Sequence, residues 1–538
     1  MTFFRQARRA GPLCAALLRH AAPLLLCAAP AASDPALDAG VRAAPQRTLC
    51  DGAPFSAGCP ARCVSRTTAR RDMKKRLQHD INALVNRGLD RHLCLAVTGL
   101  SRSGKTAFIT SLVNQLLHLH SGARLPLFSA AREERILGVK RVPQRELGVA
   151  RFTYDEGMAQ LYGEPPDWPT PTRGVSEIRL ALRYRSRESL LRHFKETSTL
   201  YLEIVDYPGE WLLDLPMLDQ RYLAWSRQMN GLLQGERRTL AEPFLRLCAA
   251  CDPLAAADER QLAAIAQAYT DYLLQCKQRG LHFIQPGRFV LPGDMAGAPA
   301  LQFFPWPGLD EAGEARLASA DRHSNIGMLR QRYDYYCREV VKGFYRRHFA
   351  RFDRQIVLVD CLQPLNSGPQ TFNDMRLALS QLMQSFNYGK RTLYRRLFSP
   401  CIDRLMFAAS KADHVTADQH ANLVSLLQQL VQDAWQNAAF EGISMDCAGI
   451  AAIQATQSGV VDHQGQTIPA LRGERLSDGA ALTVYPGEVP ARLPQAAFWQ
   501  QQGFHFEQFR PQRTAVDTPL PHIRMDSVME FLLGDKLR

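Results

Sequence analysis

Beyond Met73 the chain has no run approaching the ~18 consecutive apolar residues that a membrane span needs, which excludes a helical membrane protein for that stretch. It also lacks paired cysteine. Of its thirteen cysteines, five (Cys14, Cys27, Cys50, Cys59 and Cys63) precede Met73, and the other eight do not pair by spacing. The lone CxxC, Cys248-Ala-Ala-Cys251, lies in helical sequence without a second pair, so neither a zinc centre nor a disulfide scaffold is indicated. Cys94, Cys361 and Cys447 fall in or beside apolar runs that read as core strands, where a thiol acts as a small apolar group, and a reducing compartment fits this usage. A concentrated basic face is missing too. Of the net charge of +13, residues 1–72 supply +6 through ten Arg against four Asp, leaving +7 interleaved with acids over the rest. No nucleic-acid partner is expected.

Residues 1–35 imitate a secretory signal, with Arg5, Arg8 and Arg9 ahead of an apolar run and Ala-Ala-Pro-Ala-Ala-Ser before Asp34. Arg19 and His20 interrupt that run, and Ala36 to Arg71 is an aperiodic mixture of Ala, Pro, Arg and Cys. The expectation is that residues 1–72 are an extension outside the fold, disordered or a mis-assigned start, with translation beginning at Met73. From there Leu77, Ile81, Leu84 and Val85 share one helix face, and Gly88 ends the helix.

What is present centres on Leu93 to Leu117, LCLAVTGLSRSGKTAFITSLVNQLL. Gly99-Leu-Ser101-Arg102-Ser103-Gly104-Lys105-Thr106 satisfies the phosphate-loop pattern G-x-x-x-x-G-K-[ST], between the apolar run Cys94 to Thr98 and Ile109, Leu112, Val113, Leu116 and Leu117 at helical spacing. The glycines let main-chain N–H groups wrap a phosphate chain, and the loop, through Ala107, opens onto a helix N-terminus that favours anions. Lys105 would reach the β and γ phosphates, and the Thr106 hydroxyl would ligate Mg²⁺.

Residues 122–169 are Arg- and Pro-rich with weak periodicity, which suggests an insertion or a mobile lid. They end in Asp167-Trp168-Pro-Thr-Pro-Thr172-Arg173-Gly174, before the alternating strand Glu177 to Tyr184. The buried run Leu200 to Val205 stops at Asp206-Tyr-Pro-Gly209-Glu210, where Asp206 suits the Mg²⁺ side of the site and Gly209 a main-chain N–H to the γ phosphate. A second YPGE at Tyr485 to Glu488 has no such strand before it and reads as a turn. Residues 211 to about 353 read as mainly helical, with Leu218, Tyr222, Leu223 and Trp225 on one face and a long helix over Met328 to Phe349. Strands resume at Gln355 to Cys361, Arg404 to Ala409 and Ile450 to Ile453, the pattern of a parallel α/β sheet. Residues 460 to 520 suggest a small β-containing region before a terminal helix with Val528, Phe531 and Leu532. Ser410-Lys411-Ala412-Asp413-His414 and Gln454-Ala455-Thr456 follow two of these strands and bear on the choice between GTP and ATP.

Together the phosphate loop, Thr172, Asp206 to Gly209 and the Ser410 to Asp413 box resemble the Ras-like GTPase series. VTGLSRSGKTAFITSLVNQLLH, WPTPTRGVSEIRLALRY, VDYPGEWLLDLPML and FLLGDKLR look more closely like the YcjX-like family of bacterial phosphate-loop proteins, over about Met73 to Arg538. The resemblance implies an α/β P-loop NTPase with a Ras-like, mainly parallel core and an inserted, mainly α-helical domain. The expected division is 73–209 and 355–460 for the core, with its insertion at 122–169, 210–354 for the helical domain and 461–538 for the C-terminal region. It also implies a stress-associated, cytoplasmic hydrolase using Mg²⁺ and GTP/GDP. The expected protein partner, reached through the helical insertion, is membrane-associated in one version, which would place the protein at the inner membrane's periphery.

By the same resemblance Asp413 would accept hydrogen bonds from a guanine edge, Lys411 would pack beneath the base and His414 lie beside it. Ser410 departs from the usual Asn or Thr, so an ATPase with the same phosphate chemistry stays open, as does a nucleotide-locked interaction module with little hydrolysis. Glu210 stands where Ras-like enzymes place a water-orienting Gln, and it would either act on water or pair with an Arg. Arg173 would lend charge to the transition state or make a switch-loop salt bridge. Trp168 would shield the nucleotide or fill a core gap. Loss of the γ phosphate is expected to release the segments around both Thr172 and Gly209.

Overall fold

The computed structural model describes residues 91–538 apart from 122, 173, 187–196, 310, 349–350, 386–401, 441, 464 and 501–505. The expected extension over 1–72, the helix expected after Met73, and Arg173 therefore lie outside the described residues.

The first described strand, β1 (Arg91–Gly99), is buried on both sides because it occupies the middle of an eight-stranded sheet. β5 (Thr197–Asp206) and β6 (Arg354–Val359) flank it in parallel, β7 (Arg404–Ala409) pairs with β6, and β8 (Ser444–Gly449) closes that edge, also parallel. On the other side β4 (Ser176–Arg185) runs antiparallel to β5, and β2 (Ile136–Val142) antiparallel to β4, with the short β3 (Ala150–Arg151) beside β4. Alternate side chains of β1 serve two cores. Leu93, Leu95 and Val97 meet α1 (Lys105–Leu117), α2 (Tyr154–Leu161) and the C-terminal α8 (Met525–Leu533), whereas Ala96 faces the helices between β5 and β6. This is a mixed α/β architecture with a mostly parallel central sheet.

One sequence expectation gains detail and another is corrected. Residues 122–169 contain β2, β3 and α2 and build one edge of the sheet. Their strand signal was masked because β2 is an edge strand on which the adjacent Lys140 and Arg141, pointing to opposite faces, are both exposed, which breaks the alternation. The last parallel strand is Ser444–Gly449 instead of Ile450 to Ile453. Those apolar residues are buried because the turn after β8 packs on the sheet, where Ala451 bridges Ile523.

The chain between β5 and β6 is mainly helical and includes α3 (Tyr222–Gly231), the 20-residue α4 (Glu259–Gln278) and α5 (Asn325–Tyr335). Asp258 caps α4 by accepting from the amides of Arg260 and Gln261. α5 runs through a π-helical turn, Tyr336–Val341, into a final turn, Lys342–Arg347. Tyr222, Leu223 and Trp225 are buried as expected, but Leu218 is exposed. The apolar core of these helices is continuous with that under β6, α6 (Pro369–Ser385) and α7 (His420–Leu430). A second, three-stranded antiparallel sheet joins β9 (Gln457–His463), β10 (Gln466–Glu474) and β11 (Ala481–Val484). The terminal helix belongs to the main core, with Val528, Met529 and Leu532 buried and the following Asp535 bound to the buried Arg354 at 2.6 Å. Among the described residues no helix is long and apolar enough to cross a membrane.

Candidate functional site

Parallel register brings Gly99 at the end of β1, Asp206 at the end of β5, Asp360 after β6 and Ser410 after β7 to one edge of the sheet. Ser176 pairs with Asp206 across the antiparallel neighbour, which brings the chain just after Thr172 to the same edge. Ligands of open α/β sheets bind outside the carboxyl ends of the strands. A cleft of about 700 Å³ opens there, lined by Ser101 to Phe108, Trp168 to Thr172, Asp206, Glu210, Lys411, Asp413 and His414 among others.

The phosphate loop is shaped by its glycines. Gly104 adopts a left-handed conformation at φ 85° before α1, and a Cβ on Gly99 would stand 2.4 Å from both the Leu358 carbonyl oxygen and the Ser103 hydroxyl. Lys105 Nζ donates to the carbonyls of Gly99 and Leu100 at 3.0 and 3.3 Å, so its charge is held over the loop mouth. Gly99 and Gly209 do not line the cleft. Gly209 is packed so closely behind it that an added Cβ would lie 1.8 Å from the Gly99 carbonyl oxygen.

Thr172 Oγ1 donates to Asp206 Oδ2 at 2.6 Å. Asp206 Oδ1 is buried and has no hydrogen-bond partner among the described residues. Burial pushes this carboxyl up to about 6, against the pull of Lys105 and the Thr172 hydroxyl. Among the described residues no group of three or more His, Cys, Asp or Glu could hold a metal. A hard cation would therefore be completed by hydroxyls and phosphate oxygens. The orphaned Asp206 oxygen, with the Thr172 hydroxyl bonded to the same carboxylate and the Thr106 hydroxyl lining the same cleft, is a donor set that fits Mg²⁺.

Glu210 pairs with a lysine, whereas the pairing alternative read from the sequence was an arginine: Lys277 Nζ donates to its Oε1 at 2.6 Å. Burial raises the Glu210 pKa, but Lys105 and Lys277 outweigh it and hold the carboxyl below its usual range. Lys277 sits in the last turn of α4, far from any motif, and nothing in the sequence singled it out.

At the other end Lys411, in a left-handed conformation at φ 62°, donates to the buried Asp360 at 2.6 Å. Asp413 is buried, its Oδ2 accepting from the Ala455 amide at 2.7 Å and its Oδ1 lying 3.1 Å from His414 Nδ1. Burial raises its pKa, yet His414 and the Ala455 amide bring it below the ordinary carboxylate value. The His414 ring packs on Phe506 and Phe509, and Trp168 Nε1 donates to the Phe509 carbonyl at 2.8 Å. Leu476, Phe506, Gln508 and Phe509 also line the cleft, so the C-terminal region contributes a wall that sequence reasoning missed. No motif marks these residues. Only the aromatic spacing in Phe504-His-Phe506-Glu-Gln-Phe509 hints at it.

Residues 93–537 match the model of the YcjX-like family, DUF463. The chain is similar to the Ras-like GTPase YcjX of Escherichia coli (strain K12), at 75% identity over 464 residues, covering 86% of this chain and 100% of the relative. It is also similar to the Ras-like GTPase YcjX of Shewanella oneidensis, at 47% identity over 471 residues, covering 85% of this chain and 96% of the relative. With the matching family model and these two relatives spanning nearly all of the described fold, the chain belongs to the YcjX-like family.

Proposed function

We propose that this protein is a Mg²⁺-dependent GTPase whose nucleotide occupies the cleft along the sheet edge. The observation that carries the reading is the convergence of three distant sequence signals, residues 101–107 of the phosphate-loop motif, Thr172 with Asp206, and Ser410, Lys411, Asp413 and His414, on one cleft. The names of the relatives point the same way. Main-chain N–H groups of Ser101 to Ala107, with the α1 N-terminus, would cradle the phosphates. Lys105 would turn from the loop carbonyls to the β and γ oxygens. Thr106, Thr172 and Asp206 would hold Mg²⁺, which supplies positive charge at the terminal phosphates when bound. Glu210 is ionised and a weak base, so its role is to orient the attacking water by accepting a hydrogen bond. Asp413 would accept from the guanine N1–H and amino group, with Lys411 and His414 flanking the base and the Ala455 amide fixing the carboxylate. Trp168 with Phe506 and Phe509 would shield the bound base. Arg173 remains a candidate for added charge at the phosphates, and residues 210–354 for the partner surface.

Calorimetric titration of GDP and ADP, each with Mg²⁺, tests this. GDP is expected to bind more tightly, with the preference narrowing ~10-fold or more in Asp413→Asn, because a group built to pair with donors discriminates strongly. Equal affinities for GDP and ADP would leave an ATPase. Tight binding without single-turnover hydrolysis would leave a nucleotide-locked module.

A further inference from the structure

Lys277, which belongs to no nucleotide-binding motif, forms an ion pair with Glu210 at the end of the cleft that holds Lys105. Both residues line the cleft, together with Lys105, Thr106 and Asp206. Glu210 is 7% exposed at its side chain, but Lys277 is 24% exposed, so its ammonium is the partner with room to move. The carboxylate lies within the electrostatic reach of both ammonium groups. Around the pair the backbone is fixed. A Cβ on Gly287 would stand 2.1 Å from the Glu210 carbonyl oxygen, and Trp211 Nε1 donates to the Leu291 carbonyl at 2.9 Å. The chain that follows α4 is thereby locked against the segment carrying Glu210.

We infer that Lys277 is a second phosphate-directed cation, supplied in cis from the helical segment, that exchanges the Glu210 carboxylate for the terminal phosphate when a triphosphate binds. This rests on the GTPase reading and extends it to a residue outside the Ras-like motifs. A γ phosphate beside Lys105 presents a competing anion of higher charge than one carboxylate. A lysine rotating about its flexible stem can follow that charge without movement of α4. The exchange frees a Glu210 oxygen to accept from water. That water attacks the γ phosphorus, the bond to the β–γ bridging oxygen breaks, its electron pair stays on GDP, and the water proton leaves with inorganic phosphate. Lys277 would offset charge on the transferred phosphoryl group.

The test uses the full chain and three readouts: GDP affinity, affinity for a non-hydrolysable GTP analogue, and single-turnover hydrolysis, all with Mg²⁺. In Lys277→Ala, GDP affinity is expected within twofold of the parent, analogue affinity to fall ~10-fold, and hydrolysis to fall ~100-fold or more, the scale on which one preorganised donor to a developing charge acts. Lys277→Arg should restore at least a tenth of the parent rate. Because removing the lysine leaves Glu210 with one cation fewer, Lys277→Ala/Glu210→Gln removes the stranded charge and should still bind the analogue weakly. Hydrolysis and analogue affinity within threefold of the parent in Lys277→Ala would overturn the proposal, making the pair a structural tie. Analogue affinity restored to the parent's in the double variant would also overturn it. Failure of the GTPase reading has a different signature, since the parent itself would then bind neither nucleotide and Lys105→Ala would change nothing.

Discussion

The two flanks of the cleft's phosphate end are built differently. On one side, residues 168–172 are held by few bonds: Thr170 exchanges two hydrogen bonds with Gln160, Trp168 reaches Phe509 and Thr172 reaches Asp206, while Thr170 and Pro171 are exposed. On the other side, every residue from Asp206 to Leu215 is buried. That side is pinned by the Trp211 bond to Leu291, by Arg288 stacked 3.4 Å over the Trp211 ring, and by Asp214, which accepts from the Gly287 amide at 2.7 Å and the Tyr336 hydroxyl at 2.6 Å. A segment with few buried contacts can open at little free-energy cost, whereas one inside a packed core opens only with that core. The comparison teaches that only the first flank has a backbone free to move, and that the second is a fixed wall joined to the helical segment, where side chains alone can shift.

The wall would be broken most severely by Gly209→Ala. Its Cβ would lie 1.8 Å from the Gly99 carbonyl oxygen, a clash with backbone that rotation cannot relieve. We expect a loss above ~4 kcal/mol, or no folded protein, in denaturant unfolding. A parent-like midpoint would mean the wall is loose.

Asp214→Asn probes the same wall more gently. Burial raises the Asp214 pKa from 3.8 to about 7, with the Tyr336 hydroxyl and Gly287 amide opposing it in part. The folded state therefore holds this proton more tightly than the unfolded one. Stability from this group is fully present below about 4, is lost as pH rises to about 7, and is level above that. The stability of Asp214→Asn relative to the parent should rise by on the order of a few kcal/mol across that window. A difference independent of pH would show that Asp214 is not buried as described.

The exposed flank should behave in the opposite way. Thr172→Ala removes one hydroxyl from a half-exposed segment, so its thermal stability should stay within ~1 kcal/mol of the parent. Its Mg²⁺-dependent affinity for a GTP analogue should fall by roughly tenfold, the usual scale of one charge-assisted hydrogen bond. A large stability loss would erase the distinction between the flanks.

Much of this was legible in the sequence because it is local. The glycines, Lys105 and Thr106 are contiguous, and β1, β5, β6 and β7 are short apolar runs because the sheet is covered on both faces. Asp206 and Asp413 were found because each closely follows such a run. What was missed is non-local or half-exposed. β2 and β8 are edge strands with polar residues, so their hydrophobic pattern is weak. Lys277, Phe506 and Phe509 enter the cleft only through tertiary packing. The expectation that the segment around Gly209 relaxes with Thr172 came from their shared proximity to phosphate, and sequence carries no sign of how deeply residues 206–215 are packed.

Amide hydrogen exchange with Mg²⁺, comparing a non-hydrolysable GTP analogue with GDP, tests the asymmetry directly. Residues 165–172 should exchange more slowly with the analogue, while residues 207–215 stay equally protected in both states, as should β1. Faster exchange in 207–215 with GDP, matching any change in 165–172, would contradict the account, as would a flank at 165–172 that does not respond to the γ phosphate.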